Sequence, residues 1–173
     1  DNDGFLDLYI TKWGWNILYH NNGDGTFSDV TDQAGVGDQG NGNAALWLDH
    51  NGDGNLDIYV GNYFRYVDLW NLEDSRQMHE DFETARDGGA NVLYRNNGDG
   101  TFTDVAPQAG LAFVNTDEKG VSTDCVWGDY DNDGWPDLYI VRWGTNSLYH
   151  NNGDGTFTEV TAKAGVGHVG NGS

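Results

Sequence analysis

One decapeptide recurs with small changes along this chain: DNDGFLDLYI at residue 1, NGDGNLDIYV at 51 and DNDGWPDLYI at 131, with NNGDGTF following at 21, 96 and 151. Residues 1–43 and 131–173 align without a gap and agree at 30 of 43 positions, so the chain is a repeat array. A unit of this size cannot bury its apolar face alone and must stack on a neighbour. The repeats run 1–50, 51–130 and 131–173. Repeat 1 lacks its first strand, repeat 2 carries an insertion at about 62–90 and about five further residues after Gly110, and repeat 3 is incomplete at its end. The chain opens inside a motif, which predicts a fragment or processed piece.

Each period reads as four short strands, in the middle copy 43–48, 56–60, 92–95 and 101–105, because β-branched and aromatic residues alternate there between Gly and Asn clusters. NNGDG carries the Asn-Gly and Asp-Gly chemistry of a hairpin turn and is read as a turn, not a metal site. Four antiparallel strands per unit describe a propeller blade, and the small residues Ala44 and Ala45 suit a crowded innermost strand. The expected fold is all-β, tandem four-stranded antiparallel blades of a β-propeller. Three blades do not close the usual ring of about 4–8, so the rest must come from further sequence or other copies.

The net charge of −20, from 28 acidic and 8 basic residues, would suit a disordered chain, but seven Trp, nine Tyr and seven Phe supply a core. The scattered Lys and Arg exclude nucleic acid as a partner. No apolar run approaches the ~18 residues of a membrane span. The single cysteine, Cys125, excludes an intramolecular disulfide and reads as a small buried residue.

The acidity concentrates in the repeated loops. In repeat 3, Asp129, Asp131, Asp133 and Asp137 take loop positions 1, 3, 5 and 9, with Gly134 at position 6 and the Trp135 carbonyl at 7. That is the first half of a calcium loop, where Gly at position 6 permits the turn that aims oxygen ligands inward. Repeat 2 offers Asp49, Asn51, Asp53, the Asn55 carbonyl and Asp57, one charge fewer and so a weaker site. Repeat 1 offers Asp1, Asp3, the Phe5 carbonyl and Asp7, without a position 1 carboxylate. An EF-hand is excluded, since position 12 is Ile10, Val60 or Ile140 instead of Glu and a strand follows. One such loop alone would pass as a solvated Asp-rich turn; three with the same spacing argue for Ca²⁺, up to one per repeat.

The motifs D-x-D-x-D-G-x-x-D before L-Y-I, and NxLYxNNGDGTFxDVT, resemble the FG-GAP or VCBS repeats of integrin-alpha-like propellers, and are similar to the bacterial and cartilage acidic protein (ASPIC/UnbV-associated) group. The resemblance covers nearly the whole chain outside 62–90. It implies calcium in the loops and an extracellular setting, with the family's ligands falling on the residues just named.

In a four-stranded meander the Asp loops and NNGDG turns share one end and the insertion lies at the other. Calcium is therefore expected to be structural, with a protein or glycan partner on the opposite face. Within the insertion Asn71 is expected to cap a helix with Glu73 and Asp74 in its first turn, Leu72, Met78 and Phe82 as its apolar face, and Gly88 and Gly89 ending it. Trp13, Trp15, Tyr63, Trp70 and Trp143 would either wedge between blades or stack on sugars. His20 and His150 share a position that Arg95 fills in repeat 2, so imidazole reads as dispensable there, and His50, His79 and His168 show no evident partner. No catalytic constellation emerges, and no enzyme is expected. The reading is a non-catalytic extracellular calcium-binding scaffold or adhesion module; the alternative is a carbohydrate-binding propeller or an accessory domain of a polysaccharide-active enzyme. Near-identical first and third repeats also suit a homo-oligomer or filament.

Overall fold

A computed structural model describes residues 2–63, 88–115 and 120–171. The expected helix in the insertion, with Trp70 and His79, lies outside the described residues, as does the candidate ligand Asp1. The strands are β1 (Leu8–Ile10), β2 (Trp13–Trp15), β3 (Ile17–Asn21), β4 (Phe27–Asp29), β5 (Gln39–Leu48), β6 (Asp57–Asn62), β7 (Val92–Asn96), β8 (Phe102–Asp104), β9 (Gly120–Gly128), β10 (Asp137–Thr145), β11 (Ser147–Asn151), β12 (Phe157–Glu159) and β13 (Val169–Asn171).

Strands β5-β6-β7-β8 and β9-β10-β11-β12 form two four-stranded antiparallel meanders, and β1-β3-β4 is the same blade without a first strand. The architecture is all-β, built as four-stranded antiparallel blades of the propeller type. Alternation along the second strand explains how blades stack. In β6 every residue is buried, with Ile58 and Val60 packing in one core cluster and Tyr59 in the other. The first cluster joins Leu18, Ala34 and Val36 of blade 1 to Ile58, Val60 and Tyr94 of blade 2. The second joins Tyr59 and Leu93 of blade 2 to Cys125, Leu138, Ile140 and Phe157 of blade 3. Burial in that second core pushes the Cys125 thiol up to about 12.

Blades 1 and 2 are also laced through their backbones. The segment that opens the first strand of blade 2 pairs with blade 1, Gly14 facing Gly40 and Trp15 facing Gln39. The same ladder recurs where β13 pairs with β10, Gly144 facing Gly170 and Thr145 facing Val169. Asn43 Nδ2 donates to the Thr123 carbonyl at 2.6 Å, tying β5 to β9.

Three one-turn helices follow the fourth strands: α1 (Thr31–Ala34), α2 (Ala106–Ala109) and α3 (Thr161–Ala164). Each ends on a glycine in the left-handed region, Gly35, Gly110 or Gly165, where a side chain would be strained.

An asparagine, buried in blades 1 and 2 and half-buried in blade 3, organises the end of each blade away from the Asp loops. Asn16, Asn91 and Asn146 accept the main-chain N–H of Lys12, Asn62 and Arg142 at 3.1, 2.9 and 2.9 Å. Asn91 also donates to the Tyr59 hydroxyl at 2.7 Å and to Ser122 Oγ at 3.1 Å, so it bridges blades 2 and 3.

Candidate metal centre

The Asp loops connect first strands to second strands, and their shape follows from two left-handed residues. Position 4 is Asn2, Gly52 or Asn132 at φ of 64°, 72° and 61°, and position 6 is Gly4, Gly54 or Gly134 at 94°, 87° and 94°. Asn and Gly are the residues that tolerate this region. The position 1 carboxylate gathers the turn: Asp129 accepts the N–H of Asp133 at 3.1 Å and of Gly134 at 2.9 Å, and Asp49 accepts those of Gly52, Asp53 and Gly54 at 2.8, 3.2 and 2.9 Å. Position 5 accepts the position 7 N–H in all three loops, Asp3 from Phe5, Asp53 from Asn55 and Asp133 from Trp135.

Position 9 is buried: Asp57 and Asp137 are 0% and 1% exposed, and Asp7 is partly buried. Each holds the end of the third strand by accepting the N–H of Asn21, Asn96 or Asn151 at 2.8–2.9 Å. Those same asparagines donate to the carbonyls of Leu6, Leu56 and Pro136 and accept the N–H of Gly23, Gly98 and Gly153. They clamp each Asp loop to its own NNGDG turn, so loop and turn do share a face.

The NNGDG aspartates are committed within the turn. Asp24, Asp99 and Asp154 each accept the hydroxyl of the next threonine at 2.6 Å and its N–H at 3.0 Å, which holds their carboxyls below the usual range.

In the third loop, ligand atoms of Asp129, Asp131 and Asp137 lie within 4.8 Å of one another, and so do those of Asp131, Asp133 and His150. Among the described residues no such trio of His, Cys, Asp or Glu ligand atoms forms at 49–57 or in the first loop. The donor chemistry fits a hard cation, since three carboxylates, Asp129, Asp131 and Asp137, come together on a loop whose backbone is fixed by its own hydrogen bonds.

Two histidine readings are corrected. His50, which showed no partner in sequence, is 2% exposed and bonds to Asp57 Oδ2 through both its N–H and its ring Nδ1. The imidazole that read as dispensable lies against the Asp loop: His150 Nδ1 is 3.1 Å from Asp137 Oδ1 and its Nε2 is 3.8 Å from Asp133 Oδ2. His20 repeats this at 3.2 Å from Asp7 and 4.0 Å from Asp3. The spacing of 13 residues from position 9 in both repeats was the available signal; a strand register was needed to read it.

Laced four-stranded blades bearing an acidic loop at one end define a propeller-type repeat protein. A family profile for the FG-GAP-like repeat matches residues 1–60, 79–140 and 129–173, and the chain belongs to that family. Cartilage acidic protein 1 of Homo sapiens is 47% identical over 51 residues, and that of Mus musculus 45% over 51 residues. Each match takes in 29% of this chain and 8% of the relative, so the chain spans a small part of either. FG-GAP-like repeats serve as structural or protein-interaction modules, are typically non-catalytic and extracellular, and often bind Ca²⁺. Among the described residues no helix is long and apolar enough to cross a membrane.

Proposed function

We propose that this chain is an extracellular calcium-binding scaffold in which the ion stiffens the Asp-loop end of each blade and leaves the opposite end to partners. The observation that carries the reading is the convergence of Asp129, Asp131 and Asp137 within 4.8 Å. Two carboxylates ~4 Å apart repel by about 4 kcal/mol at an effective dielectric near 20, so a divalent cation is the natural complement. Asp129, Asp131, Asp133, Asp137 and the Trp135 carbonyl would hold the strongest ion, and Asp49, Asn51, Asp53, Asp57 and the Asn55 carbonyl a weaker one. Affinity should fall at about 10⁻⁴–10⁻³ M, as in extracellular modules, because the position 12 Glu is missing.

Ligand that binds only the folded state raises its stability. Thermal unfolding in millimolar Ca²⁺ against EDTA should therefore show a higher midpoint with calcium, and equal midpoints would refute the reading. A glycan-binding alternative draws on Trp13 and Trp15, which are 37% and 58% exposed on β2. It predicts array binding that disappears in Trp13→Ala/Trp15→Ala with folding intact.

A further inference from the structure

We infer that His150 contributes a nitrogen donor to the third Asp loop, so that this site also takes a first-row d-block divalent cation such as Co²⁺, Ni²⁺ or Zn²⁺. The inference rests on reading the loop as a cation site and changes the class of ion it accepts.

The argument begins with ring orientation. Of the two imidazole nitrogens, Nδ1 lies 3.1 Å from Oδ1 of Asp137, a carboxylate that is 1% exposed and also fixed by the Asn151 N–H. Asp131 Oδ2 lies 3.5 Å from the same Nδ1; a hydrogen bond from Nδ1–H to Asp137 leaves the Nε2 lone pair 3.8 Å from Asp133 Oδ2. A carboxylate behind the histidine and an open nitrogen in front is how proteins orient imidazole toward a metal. The Tyr130 ring stands edge-on to the imidazole, centroids 6.2 Å apart.

The donor atoms have the spacing an ion requires. One ligand atom from each of Asp131, Asp133 and His150 falls within 4.8 Å of the other two. Bonds to His nitrogen and carboxylate oxygen run about 2.0–2.2 Å, so donors this close together are within reach of one shared ion. Imidazole suits zinc, copper, iron and nickel, whereas an all-oxygen set suits magnesium, calcium and manganese, so adding one nitrogen to carboxylates broadens the site toward d-block ions.

The chain supplies its own control. His20 in blade 1 makes the same pair of contacts, Nδ1 to Asp7 and Nε2 to Asp3. In blade 2 the position holds Arg95, which is exposed, and the nearby His50 is buried against Asp57 on the other side. The loop at 49–57 therefore carries no counterpart of His150, and the His50 imidazole within it is already bonded to Asp57.

The test uses the chelator-treated chain in a His20→Gln background, titrated with Co²⁺ alone and followed by visible d–d absorption and calorimetry. Ca²⁺ thermal shifts are measured in parallel. The expected result is that His150→Gln weakens Co²⁺ at least tenfold and changes the absorption band, while the calcium shift persists. His150→Arg, the residue type that blade 2 already carries there, should do the same and guards against misfolding. If Co²⁺ affinity and spectrum are indifferent to both substitutions, or Co²⁺ does not bind, the inference is overturned even where calcium still stabilises. Co²⁺ binding that depends on His150 without any calcium shift would uphold the inference and overturn the calcium reading.

Discussion

The Trp135 indole lies against Gly52 of the preceding blade, where an added Cβ would stand 3.0 Å from Cζ3 and 3.1 Å from Cη2. The same ring covers Gly153 of its own NNGDG turn, whose Cβ would meet Nε1 at 2.7 Å. Position 7 of one Asp loop therefore touches position 4 of the loop before it, and Asn2 likewise bonds to Asn55 at 3.2 Å. Neighbouring Asp loops are in contact along the face.

Gly52→Ala should lose roughly 1–2 kcal/mol, because φ is +72° and a left-handed side chain is strained by about that much. Urea unfolding of this variant and of Gly52→Ala/Trp135→Ala separates the two causes. Removing the indole relieves the contact and leaves the backbone strain.

Asp131 belongs to both trios of the third loop, so Asp131→Asn should cut the calcium-induced rise in melting temperature by more than half. In EDTA the variant should melt at the same temperature as the parent or slightly higher, since one like-charge repulsion is gone. Differential scanning calorimetry in both buffers reads the two effects. A lower midpoint in EDTA would show that Asp131 supports the fold without metal.

Asn91→Ala should lose about 2–4 kcal/mol. It orphans the buried N–H of Asn62 together with the partners at Tyr59 and Ser122, and a buried polar group left unsatisfied costs about 1–3 kcal/mol. Chemical denaturation measures the loss. Asn16→Ala and Asn146→Ala should lose less, because their bonds to Lys12 and Arg142 do not span two blades.

Asp38 supplies a pH dependence. Burial, opposed by the Asn62 hydrogen bond and reinforced by the Asp104 charge, raises its carboxyl above the usual range. A raised folded value means that stability is fully present below the unfolded value near ~3.9 and is lost as pH rises through the folded one. Asp38→Asn keeps an acceptor for Asn62 and cannot ionise, so it should raise the melting temperature at pH 7 by roughly 2–4 °C. The gain should shrink toward pH 4 in a melting series across that range.

The blade was legible because its alternation is local: LDIYVGN alternates side chains between two neighbours, and the strands expected at 56–60 and 92–95 became β6 and β7 within two residues. The Asp loops were legible because position 6 glycine and the carboxylate spacing are set by a tight turn, whose geometry needs no distant partner. The helices α1, α2 and α3 were missed, since four residues are too few to display a 3.6-residue period, although Pro107 and the glycine after each end were signals. The histidine contacts were missed for a different reason. His150 and Asp137 meet only through the pairing of β10 with β11, so their proximity is a property of strand register.

The ladder between Trp13–Trp15 and Gln39–Asn41, repeated between Trp143–Thr145 and Val169–Asn171, bears on how such an array carries load. Blades 1 and 2 are joined by paired backbone as well as by side-chain packing, so tension on one reaches the other through several hydrogen bonds acting together. A swollen or slackened core would leave that stitching in place. Under pulling, blades 1 and 2 should part only after that ladder unzips.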